Sequence, residues 1–234
     1  MKKTDRHSAM WPKRPRIYEI NTSVWLHDLT VRYGTPLTLA TIPGHEWDRI
    51  SGLHIDAVWF MGLWARSAMG RAIAGRDGSL SDEFRRVLPD FQEGDNVGSP
   101  YCVRSYEVDN CFGGPEGLAV ARERLTERGV RLIADFVPNH VAPDHRWVAD
   151  HPEYFIRGDE DDLAADPRSF LAAGSQVFAC GKDPYFPSWP DVLQLNAFHP
   201  GLREAAIATV VDLAARCDGV RCDMAMLFIA DIFA

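Results

Sequence analysis

The chain has 234 residues and a formal net charge of −8, from 25 basic and 33 acidic side chains. That length suits one large domain or one and a half ordinary ones, and the acidic balance argues against a nucleic-acid partner, which favours a basic face. No apolar run approaches the roughly 18 residues of a membrane span.

Residues 1–15, MKKTDRHSAMWPKRP, read as a polar leader with no apolar stretch behind the basic start, so no secretory signal is expected. Residues 16–26, RIYEINTSVWL, are rich in β-branched and aromatic residues and predict strand one. Residues 44–53 predict a short helix after Pro43, with Trp47, Ile50 and Leu53 on its apolar face. Residues 55–63, IDAVWFMGL, are almost continuously hydrophobic, as in a strand buried on both faces of a parallel sheet. Residues 64–98 read as a long polar loop with a short helix near 82–87. A loop of that length is usually functional.

Residues 115–128 carry clear helix marks. Pro115 sits near the start, Gly129 just past the end, and Leu118, Ala121 and Leu125 make a stripe. Residues 130–137, VRLIADFV, predict strand three with Arg131, Ile133 and Asp135 on one face. A second excursion, from 138 to about 199, is rich in Asp, Pro and aromatics and reads as a small irregular subdomain. Residues 200–216 predict a helix with Leu202, Ala206, Val210 and Leu213 along one side. Residues 218–223, DGVRCD, predict strand four, with Gly219, Arg221 and Asp223 sharing a face. Five cysteines without CxxC spacing suggest neither a disulfide framework nor a zinc site. Cys217 and Cys222 are expected to be reduced and buried, and a cytoplasmic location follows.

Strands alternate with helices in the order βαβαβαβ, which predicts a parallel sheet with right-handed crossovers. Two architectures satisfy it, an open doubly wound sheet or part of a (β/α) barrel. No GxGxxG follows strand one and no GxxxxGK[ST] occurs, so the nucleotide-binding open sheets lose support. Polar groups gather at predicted strand ends. Asp135 ends strand three and is followed by Asn139 and His140, and Asp223 ends strand four, which in a barrel is the active-site face. An arginine beside Asp223 favours its ionised form. Taken alone, DGVRCD reads first as a structural Arg–Asp pair at a strand end, since ion pairs also occur for structural reasons.

Four segments in order resemble the α-amylase family of glycoside hydrolases. They are DFVPNH (135–140), GVRCD (219–223), YCVRSYEVDNCFG (101–113) and WPDVLQLN (189–196). The resemblance implies an α/β fold, the first four strands of a (β/α)8 TIM barrel, with a small domain inserted after strand three. The domains would then be the leader 1–15, barrel segments 16–137 and 197–234, and the insert 138–196. It implies Asp223 as nucleophile, Arg221 as its positioning cation, His140 and Tyr101 as contacts to the sugar, and Asp135 as support for the site. It also implies a calcium ligand at Asn139, with Asp191 offered as a second oxygen.

The implied activity is retaining hydrolysis or transfer of α-glucosidic bonds, on an α-glucan or α-glucoside substrate, with neither nucleic acid nor membrane as partner. In that mechanism a second carboxylate about 5–5.5 Å from the nucleophile protonates the leaving oxygen. The family carries that acid on strand five, beyond Ala234. The 234 residues are therefore expected to be an N-terminal fragment, inactive alone, whose natural partner is the C-terminal half of the barrel. The alternative readings are a non-catalytic sugar-binding or scaffold protein, or a pseudogene fragment.

Overall fold

The computed structural model describes residues 10–229. Residues 1–9 of the expected leader and 230–234 of the expected last barrel segment lie outside the described residues. The elements run β1 (Ile17–Asn21), α1 (Thr22–Tyr33), α2 (Gly44–Ser51), β2 (Ala57–Met61), β3 (Trp64–Arg66), α3 (Ala68–Arg76), α4 (Gly78–Val87), β4 (Val103–Val108), α5 (Gly114–Glu127), β5 (Arg131–Phe136) and β6 (His140–Val141). They continue with α6 (Trp147–Asp150), β7 (Arg157–Gly158), α7 (Glu160–Ala165), β8 (Phe170–Ala173), β9 (Gln176–Gly181), β10 (Trp189–Gln194), α8 (Pro200–Arg216) and β11 (Gly219–Cys222).

The chain forms two compact units. The first comprises residues 10–63, Glu107–Phe136 and Val210–Arg221. The second comprises Trp64–Tyr106, Val137–Thr209 and residues 222–229. The division differs from the expected one, because residues 64–106 group with the insert. Hydrogen bonds tie them together: Ser67 to Asp144, Ala142 N–H to the Val103 carbonyl, and the Cys102 thiol to the Asp191 carbonyl.

In the first unit the sheet order is β1-β2-β5-β11. Pairing of β1 with β2 and of β2 with β5 is parallel and in continuous register, from Ile17 opposite Ala57 and Ala57 opposite Arg131. Leu132 through Phe136 are all buried, so β5 is covered on both faces, as expected of a central parallel strand. Arg122 anchors the turn into β11. It donates to Asp218 Oδ1 at 2.6 and 3.0 Å and to the Ala215 and Cys217 carbonyls, while Asp218 Oδ2 accepts from Leu132 N–H at 2.9 Å.

Several expectations change here. The predicted first strand stops at Asn21, whose side chain accepts from Val24 N–H and caps a helix that ends on left-handed Gly34. Trp25 therefore stands on α1 and packs edge-on against Trp47 at 5.5 Å, with Leu26 and Leu29 buried beside it. Leu53 falls beyond α2 and is half exposed, leaving Trp47 and Ile50 as the buried face. The stretch 64–98 is not a loop. Ser67 caps α3, and α4 follows almost directly. Cys222 is exposed whereas Cys217 is buried. Within the expected leader, Trp11 lies under the Arg131 guanidinium, 4.8 Å from ring centre.

In the second unit, antiparallel strands pair in the order β6-β10-β9-β7, with β8 also on β9. Its core is Trp147, Tyr154, Phe155, Phe178, Leu193 and Leu195 among others. Apolar side chains from short strands, short helices and turns thus bury one another where no single element is long enough to do so alone.

Candidate active site

Asp135 sits near the C-terminal end of β5, only 1% exposed. Its Oδ1 accepts from the Trp59 indole N–H at 3.0 Å and its Oδ2 from Gly62 N–H at 3.0 Å. Gly62 follows β2 with φ +76°, a left-handed value that lets the backbone turn its N–H onto the carboxylate. Arg221 reaches across from β11, with Nη1 3.6 Å from Asp135 Oδ1 and its guanidinium 4.7 Å over the Trp59 ring. Three elements of the sheet therefore converge on one buried carboxylate at their C-terminal ends. An ion pair and a cation–π contact hold the arginine over the indole. Sequence reasoning missed Trp59 and Gly62. An indole N–H in a run as apolar as AVWFM needs a buried acceptor, and that was the available signal.

The second unit brings Asn139 and His140 together. Both are buried, and His140 pairs with Gln194 in the β6–β10 ladder. Asn139 Nδ2 lies 3.2 Å from His140 Nδ1 and 3.3 Å from Gln194 Oε1. Gln194 Nε2 lies 3.0 Å from both the Asn139 carbonyl and Asn139 Oδ1. The Trp189 ring stands edge-on to His140 at 5.2 Å. Burial pushes the His140 pKa down to about 4, so the ring is neutral at pH 7. His145 is likewise lowered to about 4, chiefly by burial.

Of the remaining expected site residues, Asp223 immediately follows β11 and is 5% exposed. Its successor Met224 takes φ +48°, a left-handed conformation that costs a non-glycine residue about 1–3 kcal/mol and is typical of functional turns. Tyr101 is half-buried in the turn before β4. Asp191 lies within β10, its carboxyl pKa raised by burial.

The expected calcium ligands do not make a cation site. Asn139 Oδ1 accepts from Gln194 Nε2 at 3.0 Å. No group of three or more His, Cys, Asp or Glu side chains able to hold a metal occurs among the described residues. Calcium wants six to eight oxygens, and both the side-chain and main-chain oxygens of Asn139 already face the Gln194 amide N–H group.

With this geometry the fold can be compared with known proteins. No family model matches the chain. Among solved structures, an alpha-amylase from Lactobacillus plantarum aligns with a TM-score of 0.56 and 22% identity, over 95% of this chain and 39% of that one. The alpha-glucosyl transfer enzyme XgtA aligns with a TM-score of 0.60 and 19% identity, over 89% of this chain and 36% of that one. The chain has the fold of the α-amylase enzymes. Among curated proteins, the amino acid transporter heavy chain SLC3A1 of Homo sapiens is 26% identical over 135 residues, 53% of this chain and 16% of that protein. The chain thus spans less than two-fifths of the length of these amylase-fold structures and about a sixth of the transporter heavy chain. No described helix is long and apolar enough to cross a membrane.

Proposed function

We propose that this chain carries the first four strands of an α-amylase-type (β/α)8 catalytic barrel, and that the whole barrel cleaves or transfers α-glucosidic bonds with retention. The observation that carries the reading is the convergence of Trp59, Gly62 and Arg221 on Asp135 at the C-terminal ends of parallel strands. That is the end of such a sheet where sites form. The sheet's outer strands support a closed barrel. Of β1, Ile17 and Tyr18 are exposed, and β11 is only half-covered, whereas β5 between β2 and β11 is buried from Leu132 to Phe136. Further strands would cover both, and the remaining half of the barrel is the natural partner.

In this reading Asp223 attacks the anomeric carbon as the glycosidic oxygen departs with a proton, and water later releases the sugar from the aspartyl ester. Arg221 and Asp135 pair at the ends of β11 and β5. His140 contacts a sugar hydroxyl and Tyr101 stacks on the ring. The general acid is a separate carboxylate 5–5.5 Å from the nucleophile, and no described residue is assigned to it. The five cysteines form no disulfide with one another, which accords with a cytoplasmic enzyme.

The test uses two substrates on residues 1–234. An aryl α-glucoside, whose leaving oxygen needs an acid, is expected to survive. An activated α-glucosyl fluoride, whose fluoride leaves without a proton, is expected to form a covalent adduct mapped by peptide mass to Asp223 and absent in Asp223→Asn. An adduct elsewhere, or aryl glucoside turnover that persists in Asp223→Asn, overturns the reading. Sugar binding with no adduct supports the non-catalytic alternative instead.

A further inference from the structure

We propose that Gln194 is a positioning residue: a backbone-anchored amide relay, Gln194 to Asn139 to His140, closes the neck of the inserted segment without a metal and fixes His140 as the Nε2–H tautomer. The bearing on sugar recognition rests on the function proposed above, but the relay itself does not.

The orientation of Gln194 follows from the backbone. Its Nε2 faces two main-chain carbonyls, Asn139 at 3.0 Å and Leu195 at 3.2 Å, and its Oε1 faces the Lys182 N–H at 3.3 Å. Turning the amide over would set an oxygen against two carbonyls and an NH2 against an N–H. With Gln194 so fixed, Asn139 is fixed in turn. Its Oδ1 meets Gln194 Nε2 at 3.0 Å and its Nδ2 meets Gln194 Oε1 at 3.3 Å. The only Asn139 atom left for His140 is then an N–H donor, 3.2 Å from Nδ1. An imidazole nitrogen that accepts carries no proton, so in the neutral ring the proton sits on Nε2. One end of His140 is committed to the protein, and the other is a fixed donor suited to a sugar hydroxyl oxygen.

The same amides hold the segment's two ends together. Residues 139–141 open the inserted segment and 189–195 close it. They are joined by the β6–β10 ladder, by Leu195 N–H to the Asn139 carbonyl, and by the paired side chains. A calcium ion would do this work through oxygens. Here an amide supplies N–H donors where a cation would have needed oxygen ligands. The adjoining cavity of ≈ 490 Å³ is walled by Asn139, Gln194 and the cationic Lys182. Its two aspartates are engaged, with Asp183 Oδ1 accepting from Tyr185 and Phe186 N–H and Asp166 Oδ1 from Arg168 N–H.

The experiment is 15N-histidine NMR with thermal melting, on wild type, Gln194→Leu and the isosteric Gln194→Glu, with His140→Gln to assign the resonance. In the wild type the protonated nitrogen of His140 is expected to be Nε2, and millimolar CaCl2 or EDTA is expected to leave Tm unchanged. Gln194→Leu is expected to mix the tautomers and lower Tm by about 3–8 °C, the shift of a few hydrogen bonds in a chain of this size. Gln194→Glu replaces the NH2 with a carboxylate facing two carbonyls and is expected to gain a calcium-dependent rise in Tm. The proposal is overturned by an Nδ1–H tautomer in the wild type, by a wild-type Tm that rises with calcium but not magnesium, or by folded Gln194 variants with an unchanged His140 signal. None of these readouts requires sugar turnover, so the relay and the glycosidase reading fail separately.

Discussion

Substitution of Asp135 measures how much of the sheet's stability is held at its polar end. The wild-type carboxylate is 1% exposed and accepts two hydrogen bonds from fixed donors, the Trp59 indole and Gly62 N–H. Hydrogen bonds to a charged group contribute about 1.5–3 kcal/mol each. Asparagine preserves the shape but has one acceptor oxygen, so one donor must face an NH2 and the other keeps only a neutral bond. Asp135→Asn is therefore expected to cost about 3 kcal/mol and Asp135→Ala about 4–5, since alanine abandons both donors. The Arg221 side chain is 35% exposed, so its share is smaller. Arg221→Met should cost about 1 kcal/mol, from a screened ion pair and a cation–π contact. Urea unfolding provides the assay, with the midpoint shifting at constant m. The Asp135→Asn/Arg221→Met double mutant should be less destabilised than the sum, because the two residues share partners. An Asp135→Asn loss below 0.5 kcal/mol, or an Arg221→Met loss exceeding it, would refute the assignment of Asp135 as the hub.

Stability should fall as pH drops from 6.5 towards 4. His140 and His145 have folded pKa values lowered from 6.5 to about 4, so in that window the unfolded chain binds more protons and is favoured. At pH 5 each contributes a loss of about 2 kcal/mol relative to pH 7. His145→Asn should roughly halve the slope of urea midpoint against pH, and a flat profile between pH 7 and 5 would contradict the burial argument. Gly70→Ala should destabilise despite alanine's better helix propensity, because a Cβ there would collide with Cys102 Sγ and lie 3.2 Å from the Asp191 carbonyl. A melt should show a loss of about 1–3 kcal/mol from overpacking. Asp218→Ala should cost more than Arg122→Ala, since it also strips the acceptor from Leu132 N–H within the sheet. Equal losses in paired urea melts would show that the backbone bond is unimportant.

The amino-acid sequence by itself determined what local rules govern. Pro115 and Gly129 bracket α5, which the structure places at Gly114–Glu127, and the continuous apolar run around Ala57–Met61 became a parallel strand. Asp135, Asn139 and His140 stood at a strand end because hydrophobic run and polar stop are adjacent in the chain. Asn21 was an equally local helix signal, outweighed in the reading by the β-branched and aromatic residues around it. Other features depended on distance. Asp135 meets Gly62 across 73 residues and Trp59 across 76, and Gln194 meets Asn139 across 55. Arg221 was assigned to Asp223, two residues on along one face of a strand, yet its guanidinium also lies against Asp135 of the neighbouring strand. Spacing of two along a strand is a property of one segment, whereas strand order and register decide which side chains stand opposite one another. Those are properties of the assembled sheet, and only the tertiary structure supplied them.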